Sequence, residues 1–531
     1  MTFTSMYFFV FILLIILVYF FVPIRHRWCV LLFANCIFYI INSKWLFFVF
    51  LSEIFFVYTV ARIISTLNEK SEVYISKNRN NLSNEDIKNK RIIDKIKRKN
   101  IMFFGVMIVI FVLIFLKYYN FFVHNINLIT SKRGYIFPSL NLILPLGISF
   151  YSLQAVAYLI DVYHGKCEAD KNFLKFMLFM SFFPQIIQGP ISRHKQLAKQ
   201  LCEGHEFDYQ RFCFGLQLIL WGCFKKLVIA DRLAIPVSIV FEQSYNYNGF
   251  MIFLALVEYG IQIYADFSGG IDIARGFSQI IGINLEINFK QPYFSTSIEN
   301  FWRRWHITLG AFMRDYVFYP LSLSKLFNKL GKMSRKILGI EFGKKIAPFL
   351  SMFVVYFLVG LWHGSEWKYI AYGLCNGFFI ATSILLESRY RILIKKCRIN
   401  DKSRSWKLFQ ILRTFFIITI IRVFPRSDRF LDAITLLKRL TKRFYDFSPI
   451  LTGHLKEMGL NNANWIVLVI AIGVMLYCDY LHENGVNIRE KIASKRLVVR
   501  WIIYYSAIIS VVVFGMYGPD YDASVFIYQQ F

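Results

Sequence analysis

The sequence is short of acid: 33 Asp and Glu stand against 62 Lys and Arg and 57 Phe. A soluble core of this length could not hide so much apolar surface, so lipid is the expected solvent for much of the chain. Paired cysteine motifs are missing too. Cys29, Cys36, Cys167, Cys202, Cys213, Cys223, Cys375, Cys397 and Cys478 are scattered through or beside apolar runs, with no Cys-x-x-Cys and no histidine cluster at zinc spacing. They read as small buried hydrophobes, and no metal site is expected. No Walker loop, Gly-x-Gly-x-x-Gly or Gly-x-Ser-x-Gly elbow occurs, which argues against P-loop, dinucleotide-binding and α/β-hydrolase chemistry. Internal repeats are not evident, which counts against a transporter built from duplicated halves. The first apolar window, Met6 to Pro23, lacks the basic flank and small-residue cleavage site of a signal peptide and is expected as a retained helix.

What is present is apolar length. The 531 residues are 56% hydrophobic and 18% aromatic, and many windows approach the roughly 20 residues that cross a hydrocarbon core. After the first, spans are expected near 28–42, 45–65, 101–123, 142–163, 172–190, 211–230, 250–265, 347–362, 367–387, 407–424, 463–481 and 499–517. This predicts an all-α, polytopic integral membrane protein forming a single domain over 1–531, with membrane lipid as its surroundings. The net charge of +29 sits in short connections between spans, so it reads as positive-inside bias and nucleic acid is not expected as a partner. The segment 66–100 carries Lys88, Lys90, Arg91, Lys95, Lys97, Arg98 and Lys99 and is expected as a basic cytoplasmic loop or interfacial helix. Arg25 and Arg27 fall on the same side, and Lys495, Arg496 and Arg500 before the last span place the 519–531 tail outside the cytoplasm.

Ionisable residues at membrane depth are costly and usually face a cavity, a partner or a substrate path. Between Tyr259 and Pro320 the chain mixes Asp266, Asp272, Arg275, Glu299, Arg303, Arg304, His306, Arg314 and Asp315 with aromatics, so no simple spanning helix is expected there but re-entrant or interfacial pieces. A second polar island is Gly360-Leu361-Trp362-His363-Gly364. A lone histidine in a helical protein is more often a packing residue than a functional one. For His363 the flanking glycines allow close approach, and a neutral imidazole in a low-dielectric site is a competent base. His306 stays open between both readings, because Arg303 and Arg304 would depress its protonation or grip an anionic donor. His26, His124, His164, His194, His205, His454 and His482 fall in expected loops or span ends and read as solvated or structural.

With these residues in view the chain resembles the membrane-bound O-acyltransferase family, in its bacterial branch of alginate O-acetylases, peptidoglycan O-acetylases and teichoic acid D-alanyl transferases. The resemblance is carried by LPLGISFYSLQAVAYLIDVYHG from Leu144, FFPQIIQGPISR from Phe182, GCFKKLVIADRL from Gly222, YADFSGGIDIARG from Tyr264, FWRRWHITLGAFMRDYVFYPL from Phe301 and GLWHG from Gly360. It implies a ring of tilted helices with re-entrant segments around a thinned centre, where a funnel from outside meets a channel from the cytoplasm. The family's two implicated histidines fall on His363 and His306. Substrate contacts are expected from Trp302, Arg303, Arg304, Trp305, Arg314, Asp315, Trp362 and Gln188. Donors to a developing oxyanion are sought among Trp indoles, backbone amides near Gly360 and Gly364, and His306. The tail FIYQQF resembles a Phe-x-Tyr-x-x-Phe motif in which the tyrosine accepts the acyl group, so Tyr528 is a candidate acceptor, with a surface-lying amphipathic tail as the alternative. Two stretches depart from the family pattern: SLSKLFNKLGKMSRK after Tyr319-Pro320-Leu321, and IRVFPR at Arg422 to Arg426.

The resemblance implies movement of an acyl group, acetyl from acetyl-CoA, from a cytoplasmic thioester to a hydroxyl of a cell-surface polysaccharide or a partner protein. No cofactor is expected to be resident, and an extracytoplasmic SGNH-hydrolase-like acyltransferase is the expected partner. The place of action is the bacterial cytoplasmic membrane. Alternatives are D-alanyl transfer to teichoic acid from an acyl carrier protein, a polytopic transporter or flippase, and an inactive scaffold.

Overall fold

The computed structural model describes residues 4–446 and 454–517. Among them the secondary structure is helical, apart from one isolated bridge between Phe289 and Trp305. Ten helices are long and apolar enough to cross a membrane, and two expected spans appear as shorter apolar helices, Met6–Phe21 and Phe173–Gln188. The chain is a multi-pass membrane protein. It divides into two compact units, Met1–Leu216 with Ala274–Glu286, and Gln217–Ile273 with Ile287–Phe531.

The first unit opens with α1 (Met6–Phe21), whose N-terminus is capped by the Ser5 side chain accepting from Phe8 N at 3.2 Å. It continues through α2 (Arg27–Ser43), α3 (Leu46–Lys77), α4 (Asn84–Thr130) and α5 (Ile148–Tyr163). The polar segment 66–100 is helical on both sides of one short turn rather than an extended loop. It extends α3 and α4 as an antiparallel hairpin, closed by a short turn and a Ser83–Asp86 capping box. Ser71 Oγ donates to Asp94 at 2.7 Å and Arg91 pairs with Glu72 at 3.1 Å across the hairpin, while Lys90 pairs with Asp94 on its own helix at 3.4 Å.

The broken helix of this unit lies at the start of FFPQIIQGPISR. Helix α6 (Phe173–Ser181) breaks at Phe182 and restarts as α7 (Phe183–Gln188). A broken helix in lipid must have its backbone satisfied by protein. Asn35 does this: its Oδ1 accepts from Phe183 N at 3.1 Å, while its Nδ2 donates to Ser181 Oγ at 3.3 Å. The unit also contains α8 (His194–Glu203). His194 is not solvated, for its Nε2 meets Asp170 at 2.6 Å among the rings of Tyr158, Phe176 and Phe179.

The second unit corrects the reading of 259–320. Helix α11 (Gly249–Ile280) is one long helix that carries Asp266 and Asp272, and only the residues after it break into short turns. The acids are tolerated because they are neutralised. Helix α9 (Tyr209–Cys223) passes into a π-helical turn over Phe224–Ala230, before α10 (Asp231–Glu242). The i→i+5 spacing of a π turn sets Asp231 against Lys226. Lys226 Nζ thus lies 2.8 Å from Asp231 and 2.7 Å from Asp266, and Lys225 Nζ lies 2.6 Å from Asp272 and 2.8 Å from Ser268 Oγ. Close approach makes these bonds reachable: a Cβ on Gly222 would sit 2.5 Å from the Gly269 carbonyl.

Further along come α12 (Ile298–Arg304), α13 (Ile307–Met313), α14 (Tyr319–Ser322), α15 (Lys325–His363), α16 (Trp367–Lys396), α17 (Arg404–Ile421), α18 (Val423–Arg426) and α19 (Phe430–Leu440). The described part ends with α20 (Asn462–Glu483), α21 (Ile488–Ala493) and α22 (Leu497–Phe514). Val240, Ile252, Leu256, Val423, Ala433 and Leu436 belong to one apolar core cluster that ties α10, α11, α18 and α19 together.

Candidate functional site

His363 ends α15. Its position is set by the crossing of α15 with α16, where a Cβ on Gly360 would meet the Tyr369 carbonyl at 2.5 Å. The helices therefore touch backbone to backbone, and the chain turns through Gly364, Ser365 and Glu366 directly after the histidine. His363 is 5% exposed, and its Nδ1 lies 2.6 Å from the Val359 carbonyl. A carbonyl only accepts, so Nδ1 carries the hydrogen and Nε2 is left as the basic nitrogen.

His306 is held in the same tautomer by different means. It is the N-cap of α13, with left-handed backbone angles (φ 47°), and is 1% exposed. Asn288 Oδ1 accepts from Thr308 N at 3.0 Å, from Thr308 Oγ1 at 3.0 Å and from His306 Nδ1 at 3.3 Å. The Thr308 amide fixes which amide atom of Asn288 faces the histidine. Its Nδ2 is buried with no hydrogen-bond partner among the described residues. A buried unsatisfied donor beside a reactive imidazole is a place where a substrate oxygen gains from binding.

The two imidazoles share one aromatic chamber. The Trp362 ring meets the His306 ring at 5.5 Å and the His363 ring at 5.1 Å, both edge to face. Phe267 covers the other side of His306 at 4.9 Å, and Tyr372 lies 5.6 Å from His363. His306 lies in the connection after α11 rather than in a spanning helix. Burial, and secondarily the neighbouring His363, hold its imidazole well below the usual histidine range and therefore neutral.

Other expected contacts divide into those turned inward and those already engaged. Trp302 Nε1 donates to Asn376 Oδ1 at 3.1 Å, and Asn376 Nδ2 to the Tyr372 carbonyl at 2.8 Å, so this indole is committed to the scaffold. The Gly364 amide is committed too, capping α15 on Leu361 O at 3.2 Å. Arg304 forms a two-pronged pair with Glu483 at 2.6 and 3.2 Å, and Arg303 pairs with Glu299 on its own helix. Neither arginine is among the groups that hold His306 neutral, where the sequence suggested both. Arg314 pairs with its neighbour Asp315 at 2.8 Å and is exposed. In the first unit Gln188 is fully buried, and its side-chain Nε2 and Oε1 have no hydrogen-bond partner among the described residues. Tyr528 lies outside the described residues.

Sequence reasoning missed Asn288, Asn376 and Arg422. Arg422 is 2% exposed and lies over three rings: Trp305 at 5.2 Å, Tyr293 at 5.4 Å and Phe301 at 5.7 Å. Trp305 is 3% exposed, stacked on Phe301 at 5.4 Å and bridged to Phe289, so the cation backs the strand-like residue that precedes His306. The only signal for it was the departure IRVFPR.

Comparison with known proteins follows this geometry. The model of the membrane-bound O-acyltransferase family matches residues 169–335, a stretch that holds His306 and ends before His363. A probable alginate O-acetylase of Pseudomonas syringae pv. tomato is 32% identical over 374 residues, covering 70% of this chain and 66% of the relative. A peptidoglycan O-acetyltransferase of Helicobacter pylori is 32% identical over 351 residues, 61% of each protein. A teichoic acid D-alanyltransferase of Streptococcus thermophilus is 30% identical over 243 residues, 44% of this chain and 55% of the relative. The chain thus spans a little under two thirds of the length of the acetylating relatives it matches. With its spanning helices and these bacterial relatives, the chain is a multi-pass protein of the bacterial cytoplasmic membrane and belongs to the membrane-bound O-acyltransferase family.

Proposed function

We propose that the protein is an O-acyltransferase that moves an acetyl group from a cytoplasmic thioester, acetyl-CoA, to a hydroxyl on the outer side of the membrane. The observation that carries this is the Nδ1 hydrogen bond of His363 to Val359 O, which presents a basic Nε2 inside a buried aromatic chamber. Nε2 takes the proton of the acceptor hydroxyl as its oxygen attacks the thioester carbonyl. The tetrahedral oxyanion is stabilised by a buried donor, for which Asn288 Nδ2 is available. Collapse breaks the carbon–sulfur bond, and the departing thiolate recovers the proton from the imidazolium.

Relatives named for acetylation of alginate and of peptidoglycan support acetyl as the group, and support a cell-surface polysaccharide as the final acceptor, reached directly, through Tyr528, or through an SGNH-hydrolase-like partner. The relative named for D-alanyl transfer supports the second reading, D-alanine from a carrier protein. Purified protein in vesicles, given acetyl-CoA labelled in its acetyl group, should deliver label in ester form to an outer-side acceptor, and His363→Ala should not. Transfer of D-alanine from its carrier with no use of acetyl-CoA would select the second reading. Peptide mapping that finds no label on Tyr528 while product accumulates would remove the tyrosine relay.

A further inference from the structure

The second unit contains a cavity that the acyl-transfer site does not use. A cleft of about 430 Å³ runs between the α9 end, α20 and α22, with the short α21 at one end. Its walls are apolar: Val467, Ile470, Ala471 and Val474 follow one face of α20, and Ile503, Ala507 and Phe514 one face of α22. Trp221 at the end of α9 and Phe224 at the start of the π turn, stacked at 5.4 Å, also line it. Ala471 and Ala507 line it with small side chains, where larger ones would project into the space. The cleft is half open rather than enclosed, and its apolar walls are short of contacts unless something lies against them. Water is a poor filler, since it needs two to four polar partners.

Three features specify the occupant. From Val467 to His482 the cleft follows α20 for about 20 Å at 1.5 Å per residue, which matches an extended hydrocarbon chain better than a compact ligand. One end is polar, with His482 and Arg489 on the lining, and it belongs to the connection 482–500, which holds Arg489, Lys491, Lys495, Arg496 and Arg500 against Glu483 and Glu490. This basic excess places that end at the cytoplasmic surface and complements a negative headgroup. Partway along the wall the Tyr504 hydroxyl accepts from Gln217 Nε2 at 3.2 Å, which leaves its own O–H to donate to an ester carbonyl. Phe514 lines the other end, and its carbonyl accepts from Arg232 at 2.8 Å.

We infer that this cleft is a binding site for an anionic phospholipid of the cytoplasmic leaflet, with one acyl chain between α20 and α22 and the headgroup at Arg489. The site is separate from the imidazole chamber and does not depend on the reaction proposed above.

The test uses the full chain in nanodiscs of phosphatidylcholine containing either phosphatidylglycerol or further phosphatidylcholine brominated on one acyl chain. Bromine quenches only a tryptophan it touches, and the Trp221 signal is isolated by subtracting Trp221→Phe. Brominated phosphatidylglycerol should quench Trp221 several-fold more at equal mole fraction than brominated phosphatidylcholine. Arg489→Gln should abolish that preference, and the cleft-filling pair Ala471→Leu and Ala507→Leu should abolish the quenching, with gel-filtration profiles and melting temperatures near wild type. If the filled variant fails to fold, displacement of the quencher by unlabelled phosphatidylglycerol in the wild type serves instead. Equal quenching by both lipids, or quenching that persists in the folded filled variant, would overturn the proposal. So would displacement by a long-chain acyl thioester but not by phosphatidylglycerol, or a co-purifying protein helix that shields Trp221 from both lipids.

Discussion

Two buried polar regions of the second unit treat charge in opposite ways. Around the π turn, Lys225 lies against Asp272 and Lys226 is shared between Asp266 and Asp231, all at 2.6–2.8 Å, so both cations are spent on carboxylates. Around His306 and His363 the partners include a carbonyl, an amide oxygen and aromatic rings, and none of these carries a counter-charge. A matched ion cluster has little left to offer a ligand, and breaking it exposes a charge to low dielectric. The imidazole pair keeps the reactive atoms in hand. Membrane burial of ionisable groups therefore marks both scaffold and chemistry, and the partners tell which is which.

Five substitutions sharpen this contrast. The largest effect is expected for His363→Ala, which should lower acyl transfer by about 10²–10⁴-fold, the usual contribution of a positioned base, with unchanged insertion and elution in detergent. A similar loss accompanied by aggregation would place His363 with the scaffold instead. Lys226→Met should do the reverse: it strands Asp231 and Asp266 and should cost about 3–5 kcal/mol of stability, read as a fall in melting temperature. Lys225→Met should cost less, because Asp272 is more exposed than Asp266.

Asn288→Ala removes the buried Nδ2 donor beside His306. It should lower kcat by about 10²-fold with KM little changed, the pattern of a group that acts on the oxyanion. A fall in melting temperature with kcat unchanged would assign Asn288 to holding Thr308 alone. The smallest effect concerns pH. His306 is held neutral by burial, so the unfolded chain binds its proton more readily than the folded one. Its contribution to stability is then fully present above the ordinary histidine value of about 6.5 and is lost as pH falls below it, by up to about 1.4 kcal/mol per pH unit. His306→Gln should flatten that part of the stability profile. A wild-type profile already flat between pH 6.5 and 5 would show the imidazole to be open to solvent.

Much of the molecule was legible early for simple reasons. Long apolar runs between basic connections had to become spanning helices, and the expected spans match helices in the structure within a few residues at most ends. Trp362-His363 stood out because glycine flanked it at the end of such a run. Local pattern failed where charge was paired at a distance. The dense charge after Tyr259 suggested a broken segment, yet α11 stays whole because lysines from another helix neutralise its acids. In 66–100 the pairing of Arg91 with Glu72 across the hairpin is likewise invisible to local spacing.

The sequence alone determined that lipid surrounds this chain, since apolar runs long enough to cross a bilayer recur along its whole length, and it named the two histidines. Which nitrogen of each is basic, which arginine is already spent, and that Asn288 and Arg422 stand behind the site were decided only in three dimensions. Hydrophobicity is a property each residue carries with it along the chain. Tautomer, pairing and reach depend on which atoms arrive from elsewhere, and no local spacing encodes that.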